Sequence, residues 1–347
     1  MVRQQFNITR RRLLKAGAGA SLAATVLPLS APTVLAANTI KIGYVSPKTG
    51  PLAPFAEADD FVLADIRKAL KSGIRLGSTT YDVDIVVKDS QSNANRASDV
   101  AKELINKDKV SMIVVAATSE TNNPVGTLCE LEGVPCLSSV APWQTNFISR
   151  QEHPNNPTSW SAFKYTYHYF WGLEDIIAVY FGMWSQLDTN KTVGALFPND
   201  NDGNAWADKT VGFPSLMGPK GFKFIDTGRY QNLSDDFSAQ IASFKTANAE
   251  ILTGVVIPPD FPTFWNQAQQ KGYKPKIATI AKALLFPTSV QALGKGGHNI
   301  TTEVWWTPNH PYRSSLTAVS AREFVQAYEQ GTGKRVDTAD WLRALAL

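Results

Sequence analysis

The apolar positions of residues 39–144 follow two alternating rhythms. Short runs rich in β-branched residues, at 39–45, 83–87, 112–115 and 134–137, read as strands, and the one at 112–115 has the unbroken apolar character of a parallel strand covered on both faces. Between them lie stretches with helical spacing. Residues 56–71 carry Phe61, Leu63, Ala64, Ile66 and Leu70, residues 96–107 form a second such stretch, and 122–132 carry Val125, Leu128 and Leu131 before Gly133 ends the pattern. The order β-α-β-α-β-α-β predicts a doubly wound sheet. After an Asn- and Pro-rich break at 153–159 the same grammar resumes. Strands are expected at 192–197, 222–225, 250–257 and 277–280, helices at 174–187, 205–216, 237–247 and 261–271, an extended segment at 303–306 and a last helix at 318–330. The fold class is therefore α/β, with two doubly wound lobes.

Ligands of open α/β sheets sit beyond the carboxyl ends of the strands, so the strand-exit loops hold the candidate site. The loop at 116–121 runs into a helix N-terminus, whose free N–H groups and dipole suit a carboxylate. Thr118, Ser119 and Thr121 add hydroxyls, and Trp143 in the next exit loop adds an apolar face. The alternative is that Ser119 and Thr121 cap the helix while Trp143 plugs a core. A run at 163–171, where the chain crosses between the lobes, is dense in aromatics. Strict alternation places Tyr165, Tyr167 and Tyr169 on one face, with Trp171 just beyond. Taken with Phe55 and Trp143 these rings predict an aromatic-lined cleft, a packed strand being the alternative.

Charge changes the picture at the N-terminus. Residues 1–37 contain Arg3, Arg10, Arg11, Arg12 and Lys15 and no acid; without them the net charge of +4 becomes −1, which leaves no nucleic-acid footprint. Thr9 to Lys15, TRRRLLK, fits the twin-arginine export pattern and is followed by a weakly apolar stretch ending in small residues near Ala37. A cleaved leader at 1–37 and a periplasmic location are expected, with the twin-arginine translocase as export partner. Cys129 and Cys136 suit either a bridge or two buried thiols. No nucleophile elbow, zincin, C-x-x-C or strand-linked dinucleotide motif occurs, which argues against the rival class, an exported redox enzyme. The polar run at 199–204, NDNDGN, resembles the start of a calcium loop, but its glycine is misplaced. A polar turn or a ligand contact is expected there, with no metal and no cofactor.

The string IGYVSPKTGP at 42–51 resembles the opening of the type I periplasmic solute-binding proteins of the branched-chain amino acid transport family. KDSQSN at 88–93 and the loop at 116–124 are similar to that family's second βα unit and ligand loop, and the resemblance spans residues 40–335. It implies two hinged lobes, 38–160 and 161–304, a return to the first lobe at 305–347, and a non-enzymatic monomeric receptor that passes a small ligand to a membrane ABC permease. By position it places ligand contacts on Phe55, Thr118, Ser119, Ala141 and Trp143 from the first lobe and on Asp202, Pro259 and Lys282 from the second; Tyr169 and Trp171 join them from the aromatic run. Three departures stand out, the first being Pro142-Trp143 in place of the family's small pair. Lys282 occupies a place where an acid is expected, and a lysine attracts carboxylate and repels ammonium. An aromatic or hydrophobic carboxylate is thus expected, a branched-chain amino acid or amide being the alternative. The family's C-terminal part is also expected to be shortened here, since the chain stops at Leu347.

Overall fold

The computed structural model describes residues 38–297 and 299–334; the expected leader, His298 and the chain end from residue 335 lie outside the described residues. The first lobe comprises β1 (Thr39–Ser46), α1 (Asp59–Ala69), β2 (Ile74–Leu76), β3 (Thr79–Asp89), α2 (Ala94–Glu103), β4 (Met112–Ala116), α3 (Ser119–Glu132), β5 (Cys136–Ser139), the short α4 (Trp143–Phe147) and β6 (Thr166–Tyr169). Its sheet runs β2-β3-β1-β4-β5-β6 and is parallel except for the β2–β3 hairpin. The second lobe comprises α5 (Leu173–Trp184), β7 (Thr192–Leu196), α6 (Asn201–Ala207), α7 (Phe213–Met217), β8 (Lys223–Asp226), α8 (Ser238–Thr246), β9 (Ile251–Val256), α9 (Asp260–Gln270), β10 (Ile277–Lys282), α10 (Pro287–Gln291) and β11 (Ile300–Thr301). Its sheet is wholly parallel, in the order β11-β10-β9-β7-β8.

Register levels the strand ends that matter. Ser46 pairs with Asp89, Ala116 with Ser139 and Ser139 with Tyr169, so the exit loops of the first lobe leave from one edge. Lys282 likewise pairs with Val256 in the second lobe. A return helix, α11 (Ala321–Thr332), brings Phe324 and Tyr328 edge-on to Phe61 of α1, with ring centroids 5.7 and 5.2 Å apart. Lys334 reaches Glu57 at 2.8 Å.

The two cores differ in texture. The first is aliphatic, built from Val45, Val100, Leu104, Ile113, Val115 and Val125. Gly43 makes room for Leu104, the C-cap residue of α2: a Cβ at Gly43 would meet Leu104 Cδ1 at 2.8 Å. The second core is aromatic, with Tyr180, Trp184, Trp206 and Phe213 buried together.

Two expectations are adjusted, one element is added and one open alternative is settled. β6 belongs to the first sheet, so the lobe boundary falls after Tyr169 and not at 160. The β2–β3 hairpin was not foreseen, because β3 is half exposed and lacks a clear apolar run before Val83. The helix expected at 205–216 is two helices. Asp208 turns its carboxylate onto the N–H groups of Thr210 and Val211, ending α6 before Pro214 helps to open α7. Cys129 and Cys136 are both buried and unbridged.

Candidate functional site

Helix α3 opens one residue after Thr118, whose extended backbone makes it the N-cap. Its hydroxyl makes no capping bond and, though buried, finds no partner. Ser119 does not cap the helix either. Its Oγ donates across the seam between the lobes to Asp202 Oδ1 at 2.7 Å. Glu120, the next residue, accepts the backbone N–H of Asn201 at 2.8 Å. The start of α3 is thereby tied to the start of α6, where Asp200 is the N-cap and accepts from Gly203 N at 2.7 Å. The polar run expected as a loop is therefore a capped helix start that delivers Asp202 in its first turn.

Opposite these acids stands Lys282, at the end of β10. Its ammonium lies 2.5 Å from Asp202, 3.5 Å from Asp200 and 3.9 Å from Glu120. Lys282 is 6 % exposed and so is not a solvated surface lysine. Burial alone would lower its pKa; Asp200, Asp202 and Glu120 outweigh that and hold it above the ordinary lysine range. Burial and the neighbouring Asp200 and Asp202 charges push Glu120 up to about 8. Burial pushes Glu303, which faces the Lys282 backbone N–H, up to about 7. The Lys282 backbone has φ +65 and ψ −67, a γ-turn geometry that is strained for an L residue. Val140, at the exit of β5, is also left-handed, with φ +74, uncommon for a β-branched side chain.

Between the lobes lies a cavity of about 20 Å³, room for about one water. Phe55, Phe170, Trp206 and Trp305 line it together with Val140, Pro142, Ile176 and Val255; Asp202, Lys282 and Glu303 supply its polar side. An apolar seam continues from it, with Phe55 edge-on to Phe286 at 4.9 Å. A groove of about 530 Å³, touching Glu120 and Asn201, follows α3 along the outer rim of the same junction.

The residues expected at the site divide accordingly. Phe55, Asp202 and Lys282 line the cavity, and Thr118 and Ser119 stand at the α3 N-terminus beside it. Ala141 is buried next to the lining residues Val140 and Pro142, and its carbonyl holds His168 Nε2 at 2.6 Å. Trp143, Tyr169, Trp171 and Pro259 are not among the lining residues. Trp143 is half-buried and donates its indole N–H to Glu174 at 2.9 Å, strapping α4 to α5. Trp171 packs on Phe170 and Trp305, where the chain crosses between the lobes. Tyr169 is 68 % exposed and borders a separate cleft of about 430 Å³ against α1 and residues 312–324. The alternation in 166–169 is real, but it turns Tyr167 and Tyr169 to solvent because β6 is an edge strand. Pro259 is exposed as the N-cap of α9. Sequence reasoning missed Glu120, Glu303, Trp206 and Trp305. Glu120 had a signal, since it follows Ser119 directly in the candidate loop.

Among the described residues, Glu120, Asp200 and Asp202 are a group whose oxygens, all within 4.8 Å of one another, could hold a metal ion. Lys282 places its own cation there. No described helix is long and apolar enough to cross a membrane.

A family model described as "Periplasmic binding protein" matches residues 39–345. Comparison with curated proteins finds no match. Among solved structures, a leucine binding protein from Thermotoga maritima is similar at a TM-score of 0.67 and 18% identity, over 86% of this chain and 78% of that one. A branched-chain amino acid transporter substrate binding protein from Streptococcus pneumoniae, in complex with isoleucine, gives 0.62 and 19%, over 87% and 79%. An ABC transporter solute binding protein from Rhodopseudomonas palustris, in complex with 4-hydroxybenzoate, gives 0.64 and 18%, over 87% and 76%. Proteins of this kind are extracytoplasmic receptors that hold small molecules for ABC permeases. Two sheets of mostly parallel strands, each presenting its strand-exit loops to a shared seam, are the type I form of that fold, and the chain belongs to the periplasmic binding protein family.

Proposed function

We propose that this receptor closes around a small aromatic or otherwise hydrophobic carboxylate. One observation above all supports the reading: the cavity between the lobes is walled by Phe55, Phe170, Trp206 and Trp305. A buried ring of ~150–250 Å² contributes roughly 4–6 kcal/mol gross before the costs of binding. The carboxylate end fits the start of α3, where a 14-residue helix aims its free N–H groups and the buried Thr118 hydroxyl still lacks a partner. Lys282 serves differently from a free anion receptor, because Asp202 already holds it. A cavity of about 20 Å³ is too small for any such solute, so entry requires the lobes to part and ligand contacts to draw them back. The R. palustris protein in complex with 4-hydroxybenzoate illustrates that this fold accommodates an aromatic acid. In our reading the protein acts as a monomer, is exported by the twin-arginine route through the basic run Arg10–Arg11–Arg12, and performs no chemistry on its ligand.

A second reading, a branched-chain amino acid, is favoured by the surplus of carboxylates around Lys282, which would suit an ammonium group. Titration calorimetry with benzoate, 4-hydroxybenzoate, phenylalanine and leucine separates the two. Binding of the aromatic acids without leucine is the expected result. Tight leucine binding with silent aromatic acids overturns the first reading in favour of the second.

A further inference from the structure

We propose that Lys282 is the specificity-determining residue of this cleft, a built-in cation that fills a three-carboxylate cage and so denies it to a ligand's ammonium group or to a divalent metal ion. The inference rests on the cleft being the ligand site and names what that site refuses.

Glu120, Asp200 and Asp202 converge with oxygens within 4.8 Å of one another. An oxygen-only cage of this size suits a hard divalent cation or a primary ammonium. The lysine ammonium occupies the same place, 2.5 to 3.9 Å from all three residues. Two of the acids are almost wholly buried, Asp202 at 2 % and Asp200 at 8 % exposure, so neither is left to water. The cage also spans the seam: Glu120 comes from the first lobe, Asp200, Asp202 and Lys282 from the second. A cation is therefore held most fully when the lobes are together. The backbone supplies an independent sign. Lys282 sits in a strained γ-turn at the end of β10, and strain of this kind persists only where surrounding contacts impose it.

Without that ammonium, the cage should accept a substitute positive charge. The test uses full-length mature protein, with the variants Lys282→Met and Lys282→Gln, and Mn²⁺ and butylammonium as probes. Mn²⁺ binding is read by electron paramagnetic resonance, and both probes by their shift of the thermal midpoint. The expected result is no specific Mn²⁺ site in the wild type and one per chain in Lys282→Met, tighter by at least ~100-fold. The site should vanish in Lys282→Met/Asp202→Asn. A variant that folds only when Mn²⁺ or butylammonium is present supports the proposal equally. Variants that fold but bind neither probe overturn it. Variants that fail to fold with or without either probe also overturn it, since a cage that needs only positive charge would accept a replacement. Because the readout uses no organic acid, failure here leaves the aromatic-acid titrations unaffected, and failure of those titrations leaves the cage result standing.

Discussion

The two ends of the cleft are built on opposite principles. At one end Phe55 meets Phe286 edge-on across the lobes, and the surrounding seam is apolar. At the other, Ser119 and Glu120 face Asp200, Asp202 and Lys282. The apolar end is tolerant: its attraction is non-directional, and a solute of suitable volume can replace one ring's contacts with its own. The charged end is exacting. Each buried charge there depends on a named partner, and removing one member strands the others. On the proposed function, in which the lobes part and rejoin, a forgiving surface for the ligand body is combined with a keyed surface that recognises its own complement.

The largest expected effect comes from breaking the key. Asp202→Asn leaves Lys282 with Asp200 at 3.5 Å and Glu120 at 3.9 Å, and weakens the acceptor for Ser119. A loss of ~3–5 kcal/mol in urea unfolding is expected. A loss under ~1 kcal/mol would mean that Lys282 is adequately held without Asp202, and the contrast between the two ends would collapse.

How much of this was legible beforehand divides along the same line. The alternation of strand and helix, both lobes and the α3 loop follow from apolar spacing along the chain, whereas Lys282 as an anomaly follows from the family resemblance. The first-lobe neighbour of Lys282 did not, because Glu120 lies 282 − 120 = 162 positions from it in the chain and belongs to the other lobe. The aromatic run misled for a related reason. Period-two alternation says which rings share a face, but not whether that face looks into the cleft, and at the edge strand β6 it looks outward. Trp305, which does line the cavity, sits beside Trp306 in a segment too short for alternation to say which of the two rings faces inward.

Acidity offers a gentler probe of the keyed end. Burial pushes Glu303 up to about 7, against an ordinary value of 4.5. Between those values the folded protein binds more protons than the unfolded chain, so this group's contribution to stability is complete below about pH 4.5 and is lost as pH rises through 7. Glu303 is only half-buried by surface area, so solvent screening reduces the effect to an expected ~1–2 kcal/mol. Glu303→Gln should flatten the decline of the thermal midpoint between pH 5 and pH 8, relative to wild type. An unchanged slope would assign the decline to Glu120, pushed up to about 8, or to Asp260, pushed up to about 6 by burial.

The smallest effect tests the forgiving end, and its interest lies in where it is felt. Phe286→Leu removes an edge-on ring contact at 4.9 Å and 74°, worth ~0.5–1.5 kcal/mol beyond its area. That contact joins residues of different lobes, so its loss weakens the joined arrangement more than either lobe by itself. A change of ~1 kcal/mol shifts an open-to-closed ratio about fivefold. Small-angle scattering should accordingly record a larger radius of gyration without ligand, while the urea midpoint moves little. A ligand that supplies its own ring between the lobes should restore the wild-type radius at saturation, because it replaces the very contact that was removed. If the radius is unchanged without ligand and stability falls instead, the two rings are ordinary core packing, and the apolar seam is fixed structure and not a surface that opens.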